Sequence, residues 1–137
     1  MDLRAIRTDI GVLASNAKFN AWSYMPSDPQ DLPAAVVGGI KSMKRLNRLV
    51  TQLQIGVIFY VNFTDPEDAA TRLDTALSTG NPDSFIDQVD SLTQADQPSW
   101  RSIRFESAGP YTVYTLPSGD PSGADALGVE VILELTA

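Results

Sequence analysis

The segment Thr51 to Thr64 alternates without a break, with Leu53, Ile55, Val57, Phe59, Val61 and Phe63 at every odd position. Side chains of a strand point to opposite faces in turn, so this pattern predicts one long strand with a continuous apolar face. Asp65-Pro66-Glu67-Asp68 follows at once. An N-capping aspartate, a proline suited to the first helical position and two acids that favour the positive helix end predict a helix directly after the strand. A long strand joined tightly to a helix restricts the chain to mixed folds.

The flanking sequence supplies the remaining elements. Leu3, Ile6, Ile10, Leu13 and Ala17 recur at intervals of three and four, which predicts a first helix capped by Asp2 and ending near Asn16 or Ala17. Phe19 to Tyr24 reads as a short extended piece, and the prolines between Met25 and Pro33 mark a loop. Ala34 to Gly38 reads as a strand buried on both faces, since it is apolar without alternation. Ile40 to Val50 has two readings: the tip of an antiparallel hairpin leading into the long strand, or a short helix over Ser42 to Leu49 with Met43, Leu46 and Leu49 on one face.

After Asp65, the stripe Ala69, Ala70, Leu73, Ala76 and Leu77 and the stop at Gly80 define a second helix. Asn81-Pro82 reads as the start of a third, with Phe85, Ile86, Val89 and Leu92 inward. Period two returns from Trp100: Ile103 and Phe105, then Tyr111 to Leu116, then Leu127, Val129, Val131, Leu133 and Leu135, with Glu130, Ile132 and Glu134 opposite. Pro117 to Gly123 reads as a flexible loop that needs no partner to be explained, with ordering on assembly as the alternative. Helices and strands cluster instead of alternating, so residues 1–137 are expected to form one α+β domain with a mainly antiparallel sheet, a long central hairpin and helices on one face.

Composition narrows the chemistry. The chain has no cysteine and no histidine. Disulfides and zinc–thiolate sites are therefore excluded, and so is the usual general base near neutral pH. Serines without histidine leave only a serine–lysine arrangement, and nothing singles one out. Gly38-Gly39 followed by Lys41-Ser42 lacks the spacing of a phosphate-binding loop. Asp65, Glu67 and Asp68 are explained by the helix start without a metal, and Asp83, Asp87 and Asp90 by a solvated helix face. Most of Trp22, Tyr24, Trp100, Tyr111 and Tyr114 are expected to pack in the core or on the sheet. No cofactor is expected. The start Met1-Asp2-Leu3-Arg4 lacks the apolar core of a signal peptide, and no stretch approaches the ~20 apolar residues of a membrane helix. The expected setting is cytosolic, with no membrane partner.

Charge supplies the candidate contact site. The net charge is −7, yet no acid lies between Asp31 and Asp65, where Lys41, Lys44, Arg45 and Arg48 are concentrated. The bland reading is a solvated loop. The sharper one is a contact to an acidic neighbouring subunit or to DNA phosphates, with protein ranked above DNA because the remaining surface repels a duplex.

The order of these elements, with Leu32-Pro33-Ala34-Ala35-Val36-Val37-Gly38, Phe59-Tyr60-Val61, Ala69-Ala70-Thr71-Arg72-Leu73-Asp74 and Tyr111-Thr112-Val113-Tyr114, resembles the tail terminator (minor tail, or tail completion) proteins of long-tailed phages, particularly those infecting actinobacteria. The resemblance spans nearly the whole chain. It implies a virion protein, assembled in the host cytoplasm, that forms a six-membered ring at the head–tail junction. Such a ring ends polymerisation of the tail tube protein, docks the head-completion (connector) protein and lets DNA pass through its lumen. It implies no enzymatic activity. The competing readings are another neck or connector protein, a tail tube subunit, or a monomeric domain binding a small molecule or peptide. A carboxylate-only hydrolase ranks last.

Overall fold

In the computed structural model, residues 1–24, 32–92, 99–115 and 125–137 are described. They form α1 (Leu3–Asn16), β1 (Asn20–Trp22), β2 (Ala34–Arg45), β3 (Thr51–Asn62), α2 (Pro66–Leu77), α3 (Phe85–Ser91), β4 (Ser102–Ala108), β5 (Thr112–Thr115) and β6 (Asp125–Thr136). The fold is α+β. One six-stranded sheet runs β1-β2-β3-β6-β4, and β5 also pairs with β6. Among the described strands, only the β1–β2 pair is parallel.

The alternation of β3 does what its pattern demands. Leu53, Ile55, Val57, Phe59 and Val61 are buried on the face that carries all three helices, opposite Leu135, Leu133, Val131, Val129 and Leu127 of β6. Ile6, Ile10, Leu13 and Ala14 of α1, Ala69, Leu73 and Ala76 of α2, and Phe85 and Val89 of α3 close the core from above. Phe59 lies at its centre, with Phe19 and Phe85 each edge-on at 4.8 Å.

Among the described residues, no helix covers the second sheet face. One end carries a small apolar cluster of Ala34, Val36, Tyr60 and Ala126, flanked by Trp22, Leu32, Ile58 and Tyr114. Double-sided burial of the start of β2 follows, since Ala35 and Val37 face the helices while Ala34 and Val36 face this cluster. The other end is a polar ladder. Glu134 accepts from Gln52 at 2.9 Å and from Arg104 Nε and Nη2 at 3.2 and 2.9 Å, and Arg104 also pairs with Glu106 at 2.9 Å. The hydrogen bonds from Arg104 hold the Glu134 carboxyl below its usual range.

Helix boundaries follow local capping. Asp2 Oδ1 accepts from the amides of Arg4 and Ala5, and Asp65 Oδ1 from those of Glu67 and Asp68. Removing the second cap by Asp65→Ala is expected to lower stability by about 1 kcal/mol, read as a lower urea midpoint at unchanged slope. The third helix corrects the sequence expectation. It starts at Phe85, capped by Ser84, and not at Asn81-Pro82. Asn81 instead organises the preceding turn, donating to Thr75 O and accepting from the Asp83 amide. Asp87 is likewise more than part of a solvated stripe, because its Oδ2 accepts from the amides of Gly80 (2.7 Å) and Asn81 (3.3 Å). Gly80 adopts φ of 84°, which glycine tolerates at a helix exit.

Tyr111 links the β4–β5 connection to α2 by donating its hydroxyl proton to Asp74 Oδ1. Burial first, then this bond and the aspartate charge, push the Tyr111 phenol well above its ordinary value of 10.0. A folded-state pKa raised in this way adds stability that is complete below the unfolded phenol's pKa and is lost as pH rises through the folded value. Stability is therefore expected to fall above pH ~10, and Tyr111→Phe to flatten that fall in denaturation midpoints measured across the alkaline range. A residual slope should persist in the variant, because burial also raises Tyr60.

Candidate functional site: a rigid hairpin tip and a distant cleft

Ile40 to Val50 forms the hairpin, and the short-helix alternative is not adopted: β2 continues to Arg45, paired with β3 through Ser42↔Gln54, Met43↔Leu53, Lys44↔Gln52 and Arg45↔Thr51. Register shifts between Val37 and Ile40 and between Ile40 and Ser42 place an irregularity at Gly38-Gly39, the kind of site where a strand bulges. Every residue from Lys41 to Leu49 is exposed.

The four basic residues of the tip have different roles. Lys41 reaches over Gly56 to pair with Glu130 at 2.8 Å. The missing side chain makes this span possible, since a Cβ at Gly56 would lie 2.9 Å from Glu130 Oε2 and 3.0 Å from Lys41 Cε. Lys41 is thus committed to its own sheet. Arg45 turns back on the loop, its Nε donating to Asn47 O at 3.2 Å and its Nη2 to Arg48 O at 3.4 Å. Asn47 completes the turn by accepting at Oδ1 from the amides of Leu49 (2.8 Å) and Val50 (3.0 Å). Arg101 Nη2 donates to Leu49 O at 3.5 Å. Lys44 and Arg48 remain as exposed charges on this braced turn.

Sequence reasoning weighted the charges and passed over the apolar partners. Met43 is 48% exposed, Leu46 50% and Leu49 77%. The pattern that suggested a helix face for these three was in fact the signal of an exposed apolar set. The backbone of this turn, braced by Asn47, Arg45 and Arg101, has less freedom to lose when its leucines dock.

At the opposite end of β3 lies an open cleft of about 340 Å³, lined by Leu32, Pro33, Val61, Asn62, Thr64, Asp65, Asp68, Ala69 and Arg72. The tip is separated from it by the length of β3 (Thr51–Asn62), roughly 35–40 Å by strand rise. Asp65, Glu67 and Asp68 are exposed there. Arg72 is tied inward, its Nη2 donating to Ala17 O at 2.8 Å with the guanidinium 4.1 Å from the Phe19 ring centre. Burial lowers its pKa, opposed by the Asp83 charge. The molecule therefore has a basic end and an acidic end along its strands, which the linear sequence indicated only as a gap in acidic residues.

Of the aromatic residues, Trp100 is buried, Tyr114 stacks edge-on against Tyr60 at 5.2 Å, and Tyr24 is exposed with the Arg7 guanidinium 4.8 Å from its ring centre. Among the described residues, no group of three or more acidic side chains is placed to hold a metal, and no helix is long and apolar enough to cross a membrane. The loop expected at Pro117 to Gly123 lies outside the described residues. Neither a family model nor a curated protein matches the chain.

Proposed function

We propose that this protein is a structural subunit that assembles with copies of itself into a closed ring, as a tail terminator of a long-tailed phage. In that role the ring, hexameric by the resemblance, caps the head-proximal end of the tail tube and joins the connector, with DNA passing through its lumen. The observation that carries the reading is the separation of a hydrogen-bonded, basic and apolar tip from an acidic end on the same subunit. Unlike patches at two ends favour head-to-tail contacts, and such contacts close into rings when the rotation between subunits permits. Composition supports a non-catalytic role, because the chain has neither histidine nor cysteine.

The test is the mass by light scattering from dilute solution up to millimolar concentration, followed by electron microscopy. Rings of uniform size support the reading, long cylinders replace it with a tube subunit, and a monomer at millimolar concentration rejects self-assembly. Reversing the exposed charges with Lys44→Glu and Arg48→Glu is expected to weaken assembly at least about tenfold. Arg45 is the poorer choice, since its side chain also braces the turn.

A second reading keeps one observation in its favour. The cleft at Leu32, Val61 and Ala69 fits a monomeric domain that binds a small molecule or peptide. A monomer that gains thermal stability with an added ligand would support it.

A further inference from the structure

We infer that the cleft at the acidic end is the receptor for the hairpin tip of a neighbouring copy. This rests on the self-assembly proposed above and specifies which two surfaces meet. The tip offers Leu46 and Leu49, with Lys44 and Arg48 beside them. The cleft offers an apolar lining of Leu32, Pro33, Val61 and Ala69, with Asp65 and Asp68 among its lining residues and Glu67 between them in the chain.

Each surface is incomplete alone in a way that the other completes. Leu49 has the largest exposure among the exposed large apolar side chains, an unfavourable state that docking removes. Asp65 uses Oδ1 for the helix cap, and Asp68 is exposed at the first turn of α2. Arg72 brings one positive charge to the cleft, but its inward hydrogen bond to Ala17 O and its place over Phe19 direct it toward the body. The exposed acids thus set the sign that an incoming group meets. The two surfaces lie at opposite ends of one strand, too far apart to meet within one subunit, so the contact is between copies.

Two charge-reversed proteins test this, one with Lys44→Glu and Arg48→Glu, the other with Glu67→Lys and Asp68→Lys. All four positions are exposed, and circular dichroism checks each fold. Each protein alone is expected to assemble at least about tenfold more weakly than the wild type. An equimolar mixture is expected to recover assembly, because an acidic tip then meets a basic cleft and a basic tip an acidic one around an alternating ring. The cysteine-free chain allows a second readout that leaves the helix acids intact. Leu49→Cys with Thr64→Cys in one chain is expected to give a ladder of disulfide-linked oligomers on mild oxidation. Wild-type rings together with no ladder and no effect of either charge reversal would overturn the docking and leave self-assembly standing. A wild-type protein that stays monomeric would remove both.

Discussion

Phe59→Ala is expected to remove most of the protein's stability and to give the largest fall in urea midpoint of any single substitution considered. Phe59 of β3 is fully buried, with Phe19 and Phe85 edge-on from the α1–β1 connection and from α3. Truncating a buried phenylalanine costs about 3–5 kcal/mol, since transfer energy is lost and a cavity remains. Two edge-to-face ring contacts disappear as well, each adding about 0.5–1.5 kcal/mol beyond area. Against a total of about 5–15 kcal/mol for a domain of ordinary stability, that loss removes most of the margin. The measurement is a urea titration followed by tryptophan fluorescence, with Trp100 as a buried reporter. Phe59→Leu should recover roughly half of the loss, since it keeps much of the volume and forfeits the ring contacts. A midpoint for Phe59→Ala near that of the wild type would mean that the helices do not depend on this contact for their seat.

The second large effect is expected at Gly128 on the uncovered sheet face. A Cβ there would stand 2.7 Å from Tyr114 Cε2 and 3.1 Å from the carbonyl oxygen of Phe59. The tyrosine ring lies across the glycine, and its edge-on contact with Tyr60 depends on that position. Gly128→Ala is therefore expected to cost about 1–3 kcal/mol through overpacking, despite the better strand propensity of alanine. Adding Tyr114→Ala relieves the ring collision and leaves the backbone one. The double variant should then show coupling, with a loss smaller than the sum of the two single losses. Strictly additive losses would show that the ring is free to move aside.

These two positions show how far the sequence could be read. The core-facing side of β3 was legible because its period of two runs without interruption, and β6 was legible for the same reason. Asp2 and Asp65 announced their helices because capping chemistry is local. The third helix was misplaced because Asn81-Pro82 and Ser84 both carry start signals. The choice between them rests on where Phe85 and Val89 meet the sheet, which is a tertiary matter. The role of Gly128 could not be read at all, since the ring that covers it comes from β5. Lys41 is similar: its pairing with Glu130 across Gly56 joins three strands, and only the register brings them together. The exposure of Leu46 and Leu49 was hidden for the opposite reason. A spacing that fits a helix face also fits a turn with its apolar residues uncovered, and periodicity over so few residues does not separate the two.

The flank of β2 carries one more consequence. β1 covers it only from Ala34 to Val36, and the Arg7 guanidinium then takes the next outward carbonyl, that of Val37, at 3.0 Å. Beyond that point, no strand lies on this side of β2 among the described residues. An uncovered strand margin invites indiscriminate pairing with any extended chain and, at high concentration, fibrous aggregates. Here the margin is interrupted by the irregular register near Gly38-Gly39 and then studded with Lys41 and Lys44. Irregular register and lysines make poor templates for amyloid-like growth, so the bare margin can be tolerated at high concentration without seeding precipitation.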